Sequence, residues 1–167
     1  MRIYCSEQVH SSIDKACWVA GIGQDNLVKI ATNSQYQMDP TALQTAIDAD
    51  RAAGHTPAGL ILCTGGTSIG ACDDLPPLIK IAQSEDLYTH LDAAWAGSAM
   101  ICPELRDIWA GAGDCDSIVF NPHKWLGANF DCSIQFLKDA NIQRRTMGLR
   151  PSYLETPQAA EITNFNE

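Results

Sequence analysis

No Cys-x-x-Cys pair occurs in the 167 residues, and the seven cysteines are odd in number, so neither a disulfide framework nor a cysteine-rich zinc site is expected. Cys63, Cys115 and Cys132 lie in or beside apolar strand-like segments and read as small buried hydrophobes, as in a reducing compartment. His90 and Cys102 have no partner at metal-ligand spacing, and no metal is expected. Basic residues are scarce: 11 Lys and Arg stand against 20 Asp and Glu. The resulting net charge of −9 argues against nucleic acid or an anionic membrane as partner. No apolar run approaches the ~20 residues of a membrane span. The opening Met1-Arg2-Ile3-Tyr4-Cys5 lacks the apolar core of a secretory leader, and a cytoplasmic location is the expectation. What remains is a globular chain, 46% hydrophobic and long enough to bury one core.

Strand and helix patterns alternate from the first residues. Strands are predicted at 3–6, 27–31, 60–63, 88–91, 117–120 and 133–137, and helices at 12–20, 41–52, 75–83 and 103–109. Pro40 behind Asp39, and Leu75 behind Asp73-Asp74, have the look of helix starts with a carboxylate just ahead. Strands separated by helices imply an α/β fold: a mostly parallel sheet with helices on both faces and ligands at the strand C-termini. Gly65, Asp92 and Asn121 each follow a strand, which gathers them along one sheet edge. A short helix is expected at 141–145, and the polar stretch 147–167 reads equally as a mobile loop or a disordered tail.

Two strand ends carry chemistry. Lys124, in Asn121-Pro122-His123-Lys124-Trp125, follows the apolar Ser117-Ile118-Val119-Phe120. Placed there it is expected to be partly desolvated, which lowers an ammonium pKa and frees the amine to attack carbonyls. Lysines of this kind form Schiff bases, and pyridoxal phosphate enzymes use them most heavily. Alone, such a lysine is more often a solvated loop residue. Asp92, in Leu91-Asp92-Ala93-Ala94, ends another strand. A carboxylate there holds the proton on a pyridine nitrogen, and Ala93 and Ala94 leave room for a flat ring; a helix cap explains the aspartate equally well.

The runs HLDAAWAGSAMICPELR and NPHKWLGANFDCS resemble the group II pyridoxal-dependent decarboxylases, and within them the aromatic-L-amino-acid type. The resemblance runs from Tyr4 to the C-terminus. It implies part of the large domain of the type I pyridoxal phosphate-dependent fold, with Lys124 as the Schiff-base lysine and Asp92 on the ring nitrogen. His10 stacks on the ring, Thr67 and Ala94 lie on the ring side, and Asn121 and His123 flank the phosphate. Tyr153 protonates the α-carbon from a closing loop. The family usually has threonine where Gly66 stands. The residues alone favour plainer roles for several of these: a helix start for His10, a turn for Asn121 before Pro122, an exposed loop tyrosine for Tyr153.

The expected activity is pyridoxal phosphate-dependent decarboxylation of an L-amino acid, presumed aromatic by resemblance, to the amine and CO2. The partners implied are a small amino-acid substrate and, as in full-length family members, a second subunit. Alternatives are another type I pyridoxal enzyme (an aminotransferase or an aldehyde-forming variant) and a non-catalytic truncated subunit. Residues 1–146 correspond to part of the cofactor-binding large domain and 147–167 to the catalytic loop. The family's N-terminal segment and C-terminal small domain have no counterpart, so the chain alone is expected to have little activity.

Overall fold

The computed structural model describes residues 1–148, which fall into two compact units, Met1–Phe136 and a second that begins at Leu137. Tyr153 and the rest of the expected loop lie outside the described residues. The described residues form six strands: β1 (Arg2–Ser6), β2 (Leu27–Ile30), β3 (Pro57–Cys63), β4 (Tyr88–Asp92), β5 (Ser117–Phe120) and β6 (Ile134–Leu137). They lie in the order β2-β1-β3-β4-β5-β6. The pairs β1–β2, β1–β3, β3–β4 and β4–β5 are all parallel.

Helix α1 (Ser12–Val19) links β1 to β2 in one direction across the sheet, and α2 (Pro40–Ala52) links β2 to β3 in the other. Parallel crossovers are right-handed, so reversing direction sends the two helices to opposite faces. The side chains agree. Tyr4, Leu60, Leu62 and Leu91 pack with Leu43 and Ile47 of α2 and with Leu75, Leu78 and Ile79 of α3 (Leu75–Ser84) in one buried core. The alternate residues Cys63, His90 and Val119 share a cavity with Ile13 and Ala16 of α1 on the other face. Strand period two thus divides each strand between a closed core and an open cavity.

Helix α2 starts as its sequence predicts. Pro40 takes the first position, and Asp39 Oδ1 accepts the backbone N–H of Thr41 (2.8 Å) and of Ala42 (3.4 Å). Asp74 caps α3 without a side-chain hydrogen bond. Its neighbour Asp73 instead turns inward and accepts from the backbone N–H of Met38 and Cys63, both at 2.8 Å. Residues Pro103–Trp109, expected as α-helix, form 3-10 turns. Leu105 and Ile108 are half exposed and Trp109 alone is buried, so no helical stripe is buried there to favour the wider α turn. After β5 the chain makes a short helix, α4 (Pro122–Trp125), which the strand pattern did not suggest. In the second unit α5 (Ala140–Met147) is capped by Asp139, which accepts from Asn141 N at 2.9 Å.

Candidate active site at the C-terminal strand ends

In an open α/β sheet the crevice for ligands forms where the connections reverse direction, beyond the strand C-termini. Here that point lies between β1 and β3. A cavity of about 360 Å³ lies beside it, over the ends of β3, β4 and β5 and against α1, within the size range of small-molecule sites. Its lining brings together His10, Thr67, Asp92, Ala94, Asn121 and Lys124. These residues come from the ends of four elements and are separated by up to 114 positions in the sequence (124 − 10).

Each arrives for a local reason. Asp92 is the last residue of β4, and its Oδ1 accepts the N–H of Ala94 at 3.0 Å. The contact is a turn after β4 and not a helix cap, since the next 3-10 turn begins behind Ala96; it uses one oxygen of the carboxylate at the cavity wall. Gly65, at φ +79°, turns the chain after β3; a Cβ there would stand 2.3 Å from Cβ of Ala96. The turn is closed by Gly65 and Gly66 N–H groups that both donate to Ala71 O, and it presents Thr67 to the cavity. His10 sits just ahead of α1, exposed at the rim. Its Nδ1 accepts the backbone N–H of Ser12 at 3.2 Å and lies 2.9 Å from Ser12 Oγ. Asn121 accepts from Ser133 Oγ at 2.7 Å, so its amide Nδ2 remains a donor.

The expected desolvation of Lys124 needs correction, and His123 is not brought to the cavity with the other site residues. Lys124 lines the cavity but is exposed, on a helical turn four residues past Phe120, so the described residues do not desolvate it. The strand ends at Phe120, and Pro122 starts a helix instead of extending it. His123 does not line the cavity. Its Nδ1 accepts the Cys132 N–H at 2.9 Å and its ring packs on Phe130, with centroids 4.6 Å apart. Successive residues of a helical turn point about 100° apart, so Lys124 and His123 do not both face inward.

The lining also holds residues to which the sequence reading gave no role in this site. His90 precedes Asp92 by two on the same face of β4, and its Nδ1 meets Ser117 Oγ at 2.7 Å on the neighbouring strand. Burial pushes the His90 pKa below its usual value, and the charge of Asp92 opposes this in part. Period two pointed to His90 once Asp92 was chosen. Ser133 carried no local signal, since its contact with Asn121 spans a 12-residue loop. Cys63 faces the cavity too, with its thiol pKa raised chiefly by burial and then by Asp92.

The model of the pyridoxal-dependent decarboxylase conserved domain matches residues 1–166. The chain belongs to the pyridoxal-dependent decarboxylase family. Tryptophan decarboxylase 2 of Oryza sativa subsp. japonica is 40% identical over 169 residues, covering 99% of this chain and 34% of the relative. Phenylacetaldehyde synthase of Arabidopsis thaliana is 41% identical, with the same two coverages. The crystal structure of Oryza sativa TDC with PLP and tryptamine superposes with a TM-score of 0.91 at 35% identity, over 97% of this chain and 34% of that one. The chain thus spans about a third of the length of the family members it matches. The sheet order and the placement of the helices agree with the expected type I fold.

Proposed function

We propose that this chain carries the cofactor-binding part of a pyridoxal phosphate-dependent carboxy-lyase that converts an aromatic L-amino acid to its amine. The observation that carries the reading is the pairing of Lys124 and Asp92 on the walls of one cavity that has His10 at its rim. The cavity suits the group. It supplies an amine, a carboxylate fixed by a backbone N–H, an imidazole, a hydroxyl and an amide donor, with the small side chain of Ala94 also on its wall.

When bound, pyridoxal phosphate supplies an aldehyde that takes up an amine and a protonated ring that accepts the electron pair left by departing CO2. Lys124 Nζ holds the aldehyde. Asp92, with Oδ1 tied to Ala94 N–H, keeps its other oxygen for the ring-nitrogen proton, and its charge favours that protonated state. His10, oriented by Ser12, would cover the ring with its imidazole face. Asn121 Nδ2 and Thr67 Oγ1 donate to polar groups of the cofactor, Asn121 on the phosphate side. We assign to Tyr153 the delivery of a proton to the α-carbon, and to residues 1–146 the cofactor-holding role.

The expected substrate side is aromatic because the relatives at about 40% identity are named for tryptophan and aromatic amino acids. A homodimer and a cytoplasmic location complete the reading. None of the seven cysteines is in a disulfide, and among the described residues no helix is long and apolar enough to cross a membrane. The identity to phenylacetaldehyde synthase favours one second reading, an aldehyde-forming reaction; product analysis, amine against aldehyde, separates the two.

Incubation with pyridoxal phosphate tests the core of the proposal. A visible absorbance band that is present with the natural chain and lost in Lys124→Ala is expected. Identical spectra for the two would refute the cofactor site.

A further inference from the structure

The turn that carries Lys124 has little to hold it. Helix α4 is four residues long, far below what is stable by itself, and Leu126 and Phe130 just after it are exposed. Its backbone is tied at one end by Asn121 N–H to Ala94 O at 3.2 Å, and Pro122 is buried. His123 is tied to Cys132, in a stretch that is itself largely exposed.

A further hold comes from an aromatic pair. Trp125, next to Lys124, meets Trp95 edge to face, with ring centroids 4.8 Å apart and planes at 83°. Trp95 lines the cavity and rests on the glycine turn. Its Cε3 would be 3.2 Å from a Cβ at Gly65, and its Cζ3 3.9 Å from one at Gly70. Both glycines have positive φ, so the turn lies bare of side chains where the indole sits. One side chain thus touches the turn that presents Thr67 and the helix that presents Lys124.

We propose that Trp95 is a positioning residue: seated on the Gly65–Gly70 turn and edge-on to Trp125, it fixes the Lys124 turn over the cavity. The role of Lys124 toward pyridoxal phosphate rests on the function proposed above; the bracing itself belongs to the cofactor-free chain. An edge-to-face pair of this kind shifts a local opening equilibrium roughly two- to tenfold.

The test uses the full chain without cofactor, followed by the same chain with pyridoxal phosphate. In Trp95→Ala, amide hydrogen exchange of a peptide spanning residues 121–126 is expected to accelerate roughly two- to tenfold, while β3 and β4 keep their protection. Trp95→Phe, which keeps an aromatic edge contact, is expected to restore most of the protection. The far-UV circular dichroism band of paired indoles should vanish in either variant. With pyridoxal phosphate, the Lys124-dependent band should form more slowly in Trp95→Ala by a similar factor.

Unchanged exchange at 121–126 in Trp95→Ala, with the paired-indole band gone, overturns the proposal. If Trp95→Ala does not fold, Trp125→Ala removes the same contact from the other side and carries the same two outcomes. If the natural chain and Lys124→Ala give identical spectra with pyridoxal phosphate, the cofactor reading falls, and the exchange result still decides the bracing.

Discussion

Removing the Asp73 carboxylate should loosen the candidate site from behind. Asp73 is 6% exposed, and its two oxygens accept the backbone N–H of Met38 and of Cys63, each at 2.8 Å. Its own N–H returns to Cys63 O at 2.9 Å. The side chain therefore joins three segments: the stretch before α2, the end of β3 and the exit of the glycine turn. Asp73→Ala leaves two buried N–H groups without an acceptor, at about 1–3 kcal/mol each, for a loss of about 2–6 kcal/mol. Asp73→Asn keeps one acceptor and sets an NH2 against the other N–H, so about 1–3 kcal/mol is expected. For a domain of this size that corresponds to roughly 2–4 °C of melting temperature per kcal/mol. Urea titrations of the three proteins, compared at equal m-value, measure the losses.

The pH dependence supplies a second check. Burial raises the Asp73 pKa above the ordinary carboxylate value, and the two N–H donors pull it down without cancelling that effect. The folded state thus binds this proton more tightly than the unfolded chain. The associated stability is fully present below the unfolded pKa near ~3.9 and is lost as pH rises through the raised folded value. The advantage of the natural protein over Asp73→Asn should accordingly shrink as pH rises through that window. A loss below about 0.5 kcal/mol in Asp73→Ala, the scale of an ordinary surface change, would refute the clasp. An advantage over Asp73→Asn that grows with pH would instead show that the two N–H donors outweigh burial at Asp73.

Two other perturbations read the site directly. Gly65→Ala forces a Cβ to 2.3 Å from Ala96 Cβ at a φ of +79°; left-handed strain and overpacking together should cost about 2–5 kcal/mol, measured by thermal melting. A melt within a degree of the natural protein would show that the turn relaxes freely. His90 has its pKa held below the ordinary ~6.5 by burial, so the folded state binds fewer protons than the unfolded one. Stability should fall as pH drops through ~6.5 toward the lower folded value, and His90→Gln should flatten that slope. An unchanged slope in urea titrations across that range would assign it to other groups.

Much of the architecture was legible because it repeats locally. Apolar runs placed all six strands within one residue at their C-terminal ends, where the chemistry lies. Asp39-Pro40 announced α2 through a cap that needs only neighbouring residues. Residues after three successive strands had to meet, because β3, β4 and β5 are adjacent and parallel. Less legible was the short range just past each strand. Lys124 was expected at a desolvated strand end and lies exposed on a helical turn, while His123, its neighbour, packs on Phe130. A shift of one residue between strand and helical geometry redirects a side chain by about 100°, and the pattern of apolar residues is silent over four positions.

By itself the sequence determined the alternation of strands and helices, the helix starts and the motifs that place the chain in its family. Each depends on residues within a few positions of one another. Only the tertiary structure decided that Asp73 clasps Met38 to Cys63 where a helix cap was expected. The same holds for His90 against Ser117 and for Trp95 as the link between the glycine turn and the turn bearing Lys124. Those contacts depend on strand register and on which face each crossover takes, and they exist only once the sheet has closed around them.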